Sequence, residues 1–217
     1  MRDIFKFLAV ATATIAFGAL GNVALAQGSD AAGPSFDCAR ASTQVEHMIC
    51  TDAELRALDL GVARFYASGM RNSRPGRAVR EQREWLAMRD QCDARACLRQ
   101  AMMERLSSLS EVVGPDLPAY SNADADAELV IADLGGGWYA FGATGYYHGP
   151  TINSASASGV AHLQGDPATI AGASEFDCAF TLTHLQGDRW RLTARPERED
   201  QACGGMNATV EGTYRRN

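Results

Sequence analysis

The sequence predicts an α+β protein: a disulfide-braced helical hairpin or small bundle, followed by a small antiparallel β barrel or sandwich. Three observations carry that prediction. Between residues 43 and 109, capping-box patterns introduce stretches whose apolar residues recur at helical spacing. Beyond residue 128 the pattern changes to short β-branched and aromatic runs, separated by Gly, Asn, Asp or Pro. Six cysteines are shared between the two regions, an even number with none left over.

Residues 1–26 read as a signal peptide. A charged start, "MRDIFK", precedes an apolar run that ends in Ala24-Leu25-Ala26, the small-x-small pattern of a cleavage site. No cysteine stands beside that point, so a lipoprotein anchor is not expected. The expected product is periplasmic or secreted, with no membrane insertion after cleavage. In such an oxidising space Cys38, Cys50, Cys92, Cys97, Cys178 and Cys203 read as disulfides. Their spacings do not suit zinc, which favours C-x2-C pairs. No metal or other cofactor is expected.

Residues 34–112 form the expected helical domain. Thr43-x-x-Glu46 starts a short helix to about residue 50, and Thr51-x-x-Glu54 repeats the device before a longer one. In that second helix Leu55, Leu58, Val62, Phe65 and Tyr66 mark one apolar face. "RNSRPG" is turn chemistry, and another long helix is expected from Ala78, carrying Gln82, Trp85, Leu86 and Arg89 on one side. "CDARAC" interrupts it. A final helix then turns Leu98, Met102, Arg105, Leu106 and Leu109 inward.

Folding the two long helices antiparallel about residue 74 sets Val62 against Leu86, Tyr66 against Gln82, and Asp59 against Arg89. Asp59 sits within an apolar face, so an arginine fork is its natural partner. The alternative is two solvated charges on adjoining faces. Trp85 reads as core, while Gln82, Arg89 and Asp90 read as polar connectors rather than acid–base catalysts. Cysteine pairing stays open: local Cys38–Cys50 and Cys92–Cys97 bonds are favoured slightly, but Cys38–Cys92 with Cys50–Cys97 also fits an antiparallel hairpin.

"FDCARASTQVEHMIC", "ELRALD", "FY", "EQREWLAMRDQC" and "CLRQAMMERLSSL" together resemble the N-terminal domain of the LprI-type lysozyme inhibitor family. The resemblance runs from Phe36 to about Leu109 and implies an exported helical domain that acts on lysozyme, a cationic muramidase. It carries over no contact residue, so target-binding residues are unassigned.

Residues 113–128, "VVGPDLPAYSNADADAE" to its end, read as a Pro-, Gly- and Asp-rich linker. Asp124, Asp126 and Glu128 lack the glycine and distal glutamate of an EF-hand loop, which disfavours calcium. Residues 129–217 form the expected acidic β domain. "CAFTLTHLQGDRWRLTA" is its clearest hairpin, and Cys178–Cys203 would tie that hairpin to the last strand. "HLQGD" occurs at His162 and again at His184, read as one turn solution used twice rather than a metal pair. "SASASG" at 154–159 ends in four letters similar to a cleft-entering loop of the periplasmic inhibitors of C-type lysozyme, but reads better as loop filler.

Charge divides the chain. Residues 27–112 hold 12 Arg and 12 Asp or Glu, whereas residues 113–217 hold 6 Arg and 13 Asp or Glu, a net of −7. That balance argues against nucleic acid or an anionic membrane and for a cationic partner such as lysozyme. No Gly-x-Ser-x-Gly elbow, His-Glu-x-x-His helix or phosphate-cradling loop is present, so no catalytic residue is assigned and an enzyme is not expected. The expected function is an exported binding protein of the lysozyme-inhibitor kind. The alternative is a non-enzymatic envelope or stress module that binds another bacterial protein or peptidoglycan.

Overall fold

The computed structural model describes residues 33–72, 75–163, 168–170, 178–195 and 203–217. The expected signal peptide lies outside them. Four α-helices precede eight strands: α1 Gln44–Thr51, α2 Ala53–Asn72, α3 Pro75–Arg89, α4 Arg95–Ser110, then β1 Ala119–Asn122, β2 Ala127–Gly135, β3 Trp138–His148, β4 Ile152–His162, β5 Ala168–Ile170, β6 Ala179–Leu185, β7 Arg189–Arg195 and β8 Gly212–Arg216. The α+β class is as the sequence predicts, and the β part is a barrel rather than a sandwich.

Helix starts follow cap chemistry, with one correction. Thr43 and Glu46 form the capping box of α1 as expected, Thr43 accepting from the Glu46 N–H while Glu46 accepts from the Thr43 N–H. Thr51 does not cap α2. It still belongs to α1, where its hydroxyl donates to the His47 and Met48 carbonyls. Asp52 takes the role instead, its extended backbone leaving Oδ1 to accept from the Leu55 N–H at 2.9 Å. Helix α3 begins at Pro75, three residues before the expected Ala78, because proline suits the first helical turn.

All eight strands belong to one antiparallel sheet in the order β4-β3-β2-β1-β8-β7-β6-β5, with the end strands β4 and β5 approaching each other to nearly close a barrel. Inside lie Leu129, Ile131, Phe141, Phe180, Leu182, Trp190, Leu192, Val210 and Tyr214. Strand β1 falls within the stretch 113–128 that reads as a linker. That stretch is tied down: the Gly114 N–H donates to Ser68 Oγ at 2.8 Å, and the Ile131 N–H donates to the Pro118 carbonyl at 3.0 Å.

"SASASG" is not a loop. It is the middle of β4, paired along its length with β3. Alternation decides the matter: Ala155 and Ala157 point into the barrel, while Ser158 points out and donates to the Met103 carbonyl of α4 at 3.0 Å. The likeness to a cleft-entering loop therefore does not hold. The last strand, β8, pairs regularly only from Gly212.

The helices pack on the outer face of β2, β3 and β4, so Val130, Ala132, Leu134, Ala140 and Val160 join the helical core. Small residues permit the close approach. A Cβ added at Gly61 of α2 would lie 2.8 Å from Ala140 Cβ, and one at Gly142 would lie 2.2 Å from Ser110 Cβ. Double-sided burial explains why Leu129 to Ala132 are all buried in an antiparallel strand.

Candidate functional site

The residues that the sequence singles out in the helical hairpin converge on Trp85. Its indole N–H donates to the Ala101 carbonyl at 3.2 Å, and its ring lies 5.4 Å from the Arg89 guanidinium and 6.0 Å from that of Arg105. Arg89 Nη1 stands 3.6 Å from Asp59 Oδ1, the carboxylate buried and the guanidinium largely so, while Nε and Nη2 fork onto Asp90 Oδ1 at 2.9 and 2.7 Å. Asp59 Oδ2 also accepts from the Ser35 N–H at 2.7 Å, so this carboxylate fastens the chain before α1. Gln82 Oε1 accepts twice from Arg105, at 3.1 and 2.9 Å. Tyr66 is half-buried against the same core. Burial holds the Arg105 guanidinium below the ordinary arginine range. Sequence reasoning turned Arg105 inward but gave it no partner; its position one turn before Leu109 on the inward face was the available signal.

Three disulfides brace the chain. Cys38–Cys50 and Cys92–Cys97 are the local pairs, and Cys178–Cys203 joins the start of β6 to the segment before β8. Beside them Arg95 reaches Asp52 at 2.7 Å and Glu54 at 2.6 Å, and Arg99 reaches Glu54 at 2.8 Å, linking the starts of α2 and α4. Among the described residues no group of three or more His, Cys, Asp or Glu could hold a metal ion. The two "HLQGD" histidines play the same part: each stacks on its cross-strand tryptophan, His162 on Trp138 at 4.5 Å and His184 on Trp190 at 4.3 Å, while the turn that follows His162 lies outside the described residues.

One cluster of exposed polar and aromatic groups lies at one end of the barrel, where the β1–β2 and β3–β4 turns meet the segment before β8. Asp124, Asp126, Tyr146, Tyr147 and His148 line a surface depression there with Asn207. His148 Nε2 lies 3.1 Å from Asp126 Oδ2, both largely exposed. Tyr146, Ile152 and Met206 are 44, 73 and 77% exposed, three of the five exposed large apolar side chains among the described residues. The support beneath is rigid. Buried Asn122 accepts from the Asp124 N–H at 3.2 Å and donates to the Glu211 carbonyl at 3.1 Å. Asp126 adopts φ 44°, which aspartate tolerates, and its carbonyl accepts from the Tyr146 N–H at 3.1 Å. The Gly205 N–H donates to the Ser154 carbonyl at 3.2 Å and holds the Met206 segment against β4. Asp124 and Asp126 read as part of an acidic tether in sequence, and Tyr146 belongs to the aromatic "GYY", which reads as β-core filling before a glycan groove; His148, Ile152 and Met206 carry no signal, because nothing local shows that two turns share one end of a barrel.

Fold and surface thus define a disulfide-braced α+β protein that sets carboxylate and aromatic side chains together on one rim of its barrel. No family model matches the chain, and no solved structure matches it. It is similar to Lipoprotein LprI of Mycobacterium bovis and of Mycobacterium tuberculosis, 31% identical over 86 residues, which is 38% of this chain and 44% of each relative. The aligned stretch therefore spans less than half the length of the curated relatives, and the relation to LprI is a distant one.

Proposed function

We propose that this protein is an exported, non-enzymatic binding protein that captures a cationic muramidase of the lysozyme class, with the acidic end of the barrel as the contact surface. The observation that carries the reading is the Asp124–Asp126–Tyr146 rim, anchored on buried Asn122 and flanked by exposed Ile152 and Met206. Apolar and aromatic groups edged by carboxylates match the surface of a basic protein, whose arginines stack on tyrosine and whose lysine stems lie along apolar patches. A preformed rim loses little conformational entropy on binding. The resemblance of the helical domain to LprI-type inhibitors, and the distant likeness to the LprI lipoproteins, support the choice of lysozyme as target.

The test is clearance of a bacterial cell-wall suspension by a C-type lysozyme, with and without this chain. Inhibition is expected at micromolar protein in low salt and should weaken at moderate salt, because exposed charges are screened over about 10 Å at 0.1 M. The double variant D124N/D126N should inhibit about tenfold less well, chiefly through slower association. Undiminished clearance at micromolar protein under both salt conditions would overturn the proposal.

A further inference from the structure

We infer that the outer face of β6, β7 and β8 is a docking surface for an anionic phospholipid leaflet. Strand alternation puts Phe180, Leu182, Trp190, Leu192 and Tyr214 inside the barrel, so their neighbours in sequence face out. The outward set includes Arg189, Arg191 and Arg215, interleaved with Thr181, Thr183, Thr193 and Thr213, with Arg195 and half-buried Leu185 at its ends. The register places Arg189 directly opposite Arg215, and Arg191 between Thr183 and Thr213. Their Cα atoms thus lie about 5 Å apart across strands and about 7 Å apart along one.

Like charges directly opposite each other destabilise a sheet. Among the described residues no carboxylate pairs with these three guanidinia: Arg191 Nε donates to the Thr213 hydroxyl at 3.3 Å and Arg189 Nε to the Gln186 carbonyl at 2.9 Å, while the nearby Asp188 is taken by Arg216. Among the described residues the array thus has no carboxylate of its own, and an external anion can take it. Arginine forks and threonine hydroxyls are the donors that suit phosphate oxygens. One phosphate can occupy one fork, whereas a plane of headgroups can engage all three.

Two features favour a leaflet over an acidic protein. Among the described residues none of the exposed large apolar side chains lies on this face, and protein interfaces depend on such anchors. The face also lies on the half of the barrel away from β2–β4, where the helices pack, so docking leaves the helical unit free. The net charge of −7 between residues 113 and 217 conceals this patch. A charged surface responds to the face within a Debye length, about 10 Å at 0.1 M salt, rather than to a molecular total.

Flotation of the chain lacking residues 1–26 with vesicles of phosphatidylglycerol mixed equally with phosphatidylcholine tests the inference. Binding is expected in low salt, lost at high salt, and absent with phosphatidylcholine alone. Each arginine should contribute about fivefold, so R189Q/R191Q/R215Q should bind on the order of a hundredfold more weakly. Relief of the Arg189–Arg215 repulsion should leave its melting temperature unchanged or raised; if the triple variant does not fold, R191Q alone should still lose about fivefold. Equal binding to both vesicle types, unchanged binding by the variants, or capture of soluble polyglutamate in preference to vesicles would each overturn it.

Discussion

Arg89 shows how one side chain can tie several parts of a fold together. Its guanidinium serves Asp59, Asp90 and the Trp85 ring at once, in a site that leaves Asp59 5% exposed. Removing it strands a buried carboxylate, which typically costs 3 to 5 kcal/mol. Arg89→Met should therefore lower unfolding free energy in urea by about 3 kcal/mol, the Ser35 N–H offsetting part of the loss. A change near zero would mean that Asp59 is hydrated. Asp59→Asn, which keeps a polar group for Ser35, should cost less.

The joint between α2, α4 and β3 depends on glycine and serine rather than on large apolar side chains. Gly142→Val forces β-carbon atoms into the space of Ser110, and overpacking of this kind costs about 1 to 3 kcal/mol. The expected outcome is a lower melting temperature with disulfides intact, and an unshifted midpoint would show that α4 yields. This joint also marks where the sequence stopped being legible. Helices and strands follow from local periodicity and caps, and Asp59–Arg89 from hairpin arithmetic. That Ala132, Ala140 and Val160 would serve a helical core could not be seen, because a strand buried on both faces loses its alternation. "SASASG" misled for a related reason: small residues look like filler, yet here they admit α4 to the sheet. Thr51 and Asp52 differ by one position, and backbone dihedrals rather than composition chose the cap. The rim was least legible of all, since its turns come together only when the barrel curls.

At the scale of the whole molecule, acid sensitivity follows from several carboxylates held in the charged form. Backbone N–H groups of Ser42 and Thr43 hold Glu46 down to about 2. The Ser68 hydroxyl lowers Asp116, and Arg216 with Tyr120 lowers Asp188. Burial opposes the trend at Asp52, but hydrogen bonds from Arg95 and the Leu55 N–H outweigh it. A depressed folded-state value gives stability that is complete above the unfolded carboxylate range, near 4, and lost as pH falls through the folded value. Chemical-denaturation midpoints should thus stay level from about pH 7 to 5 and fall steeply between about 4 and 2. A fall already under way at pH 6 would contradict this. Reduction of the three disulfides should add a loss of about 2 to 4 kcal/mol per bond, greatest for the 25-residue separation of Cys178–Cys203.

The charged end of the barrel is also a whole-molecule property, and it makes the functional claim kinetic. The most direct test is the association rate with immobilised C-type lysozyme across a salt series, comparing the native chain with D124N/D126N. The account predicts a native rate that falls steeply with salt and a flatter, slower variant, the two converging at high salt. Indistinguishable salt dependence, or no detectable association at any salt, would contradict it.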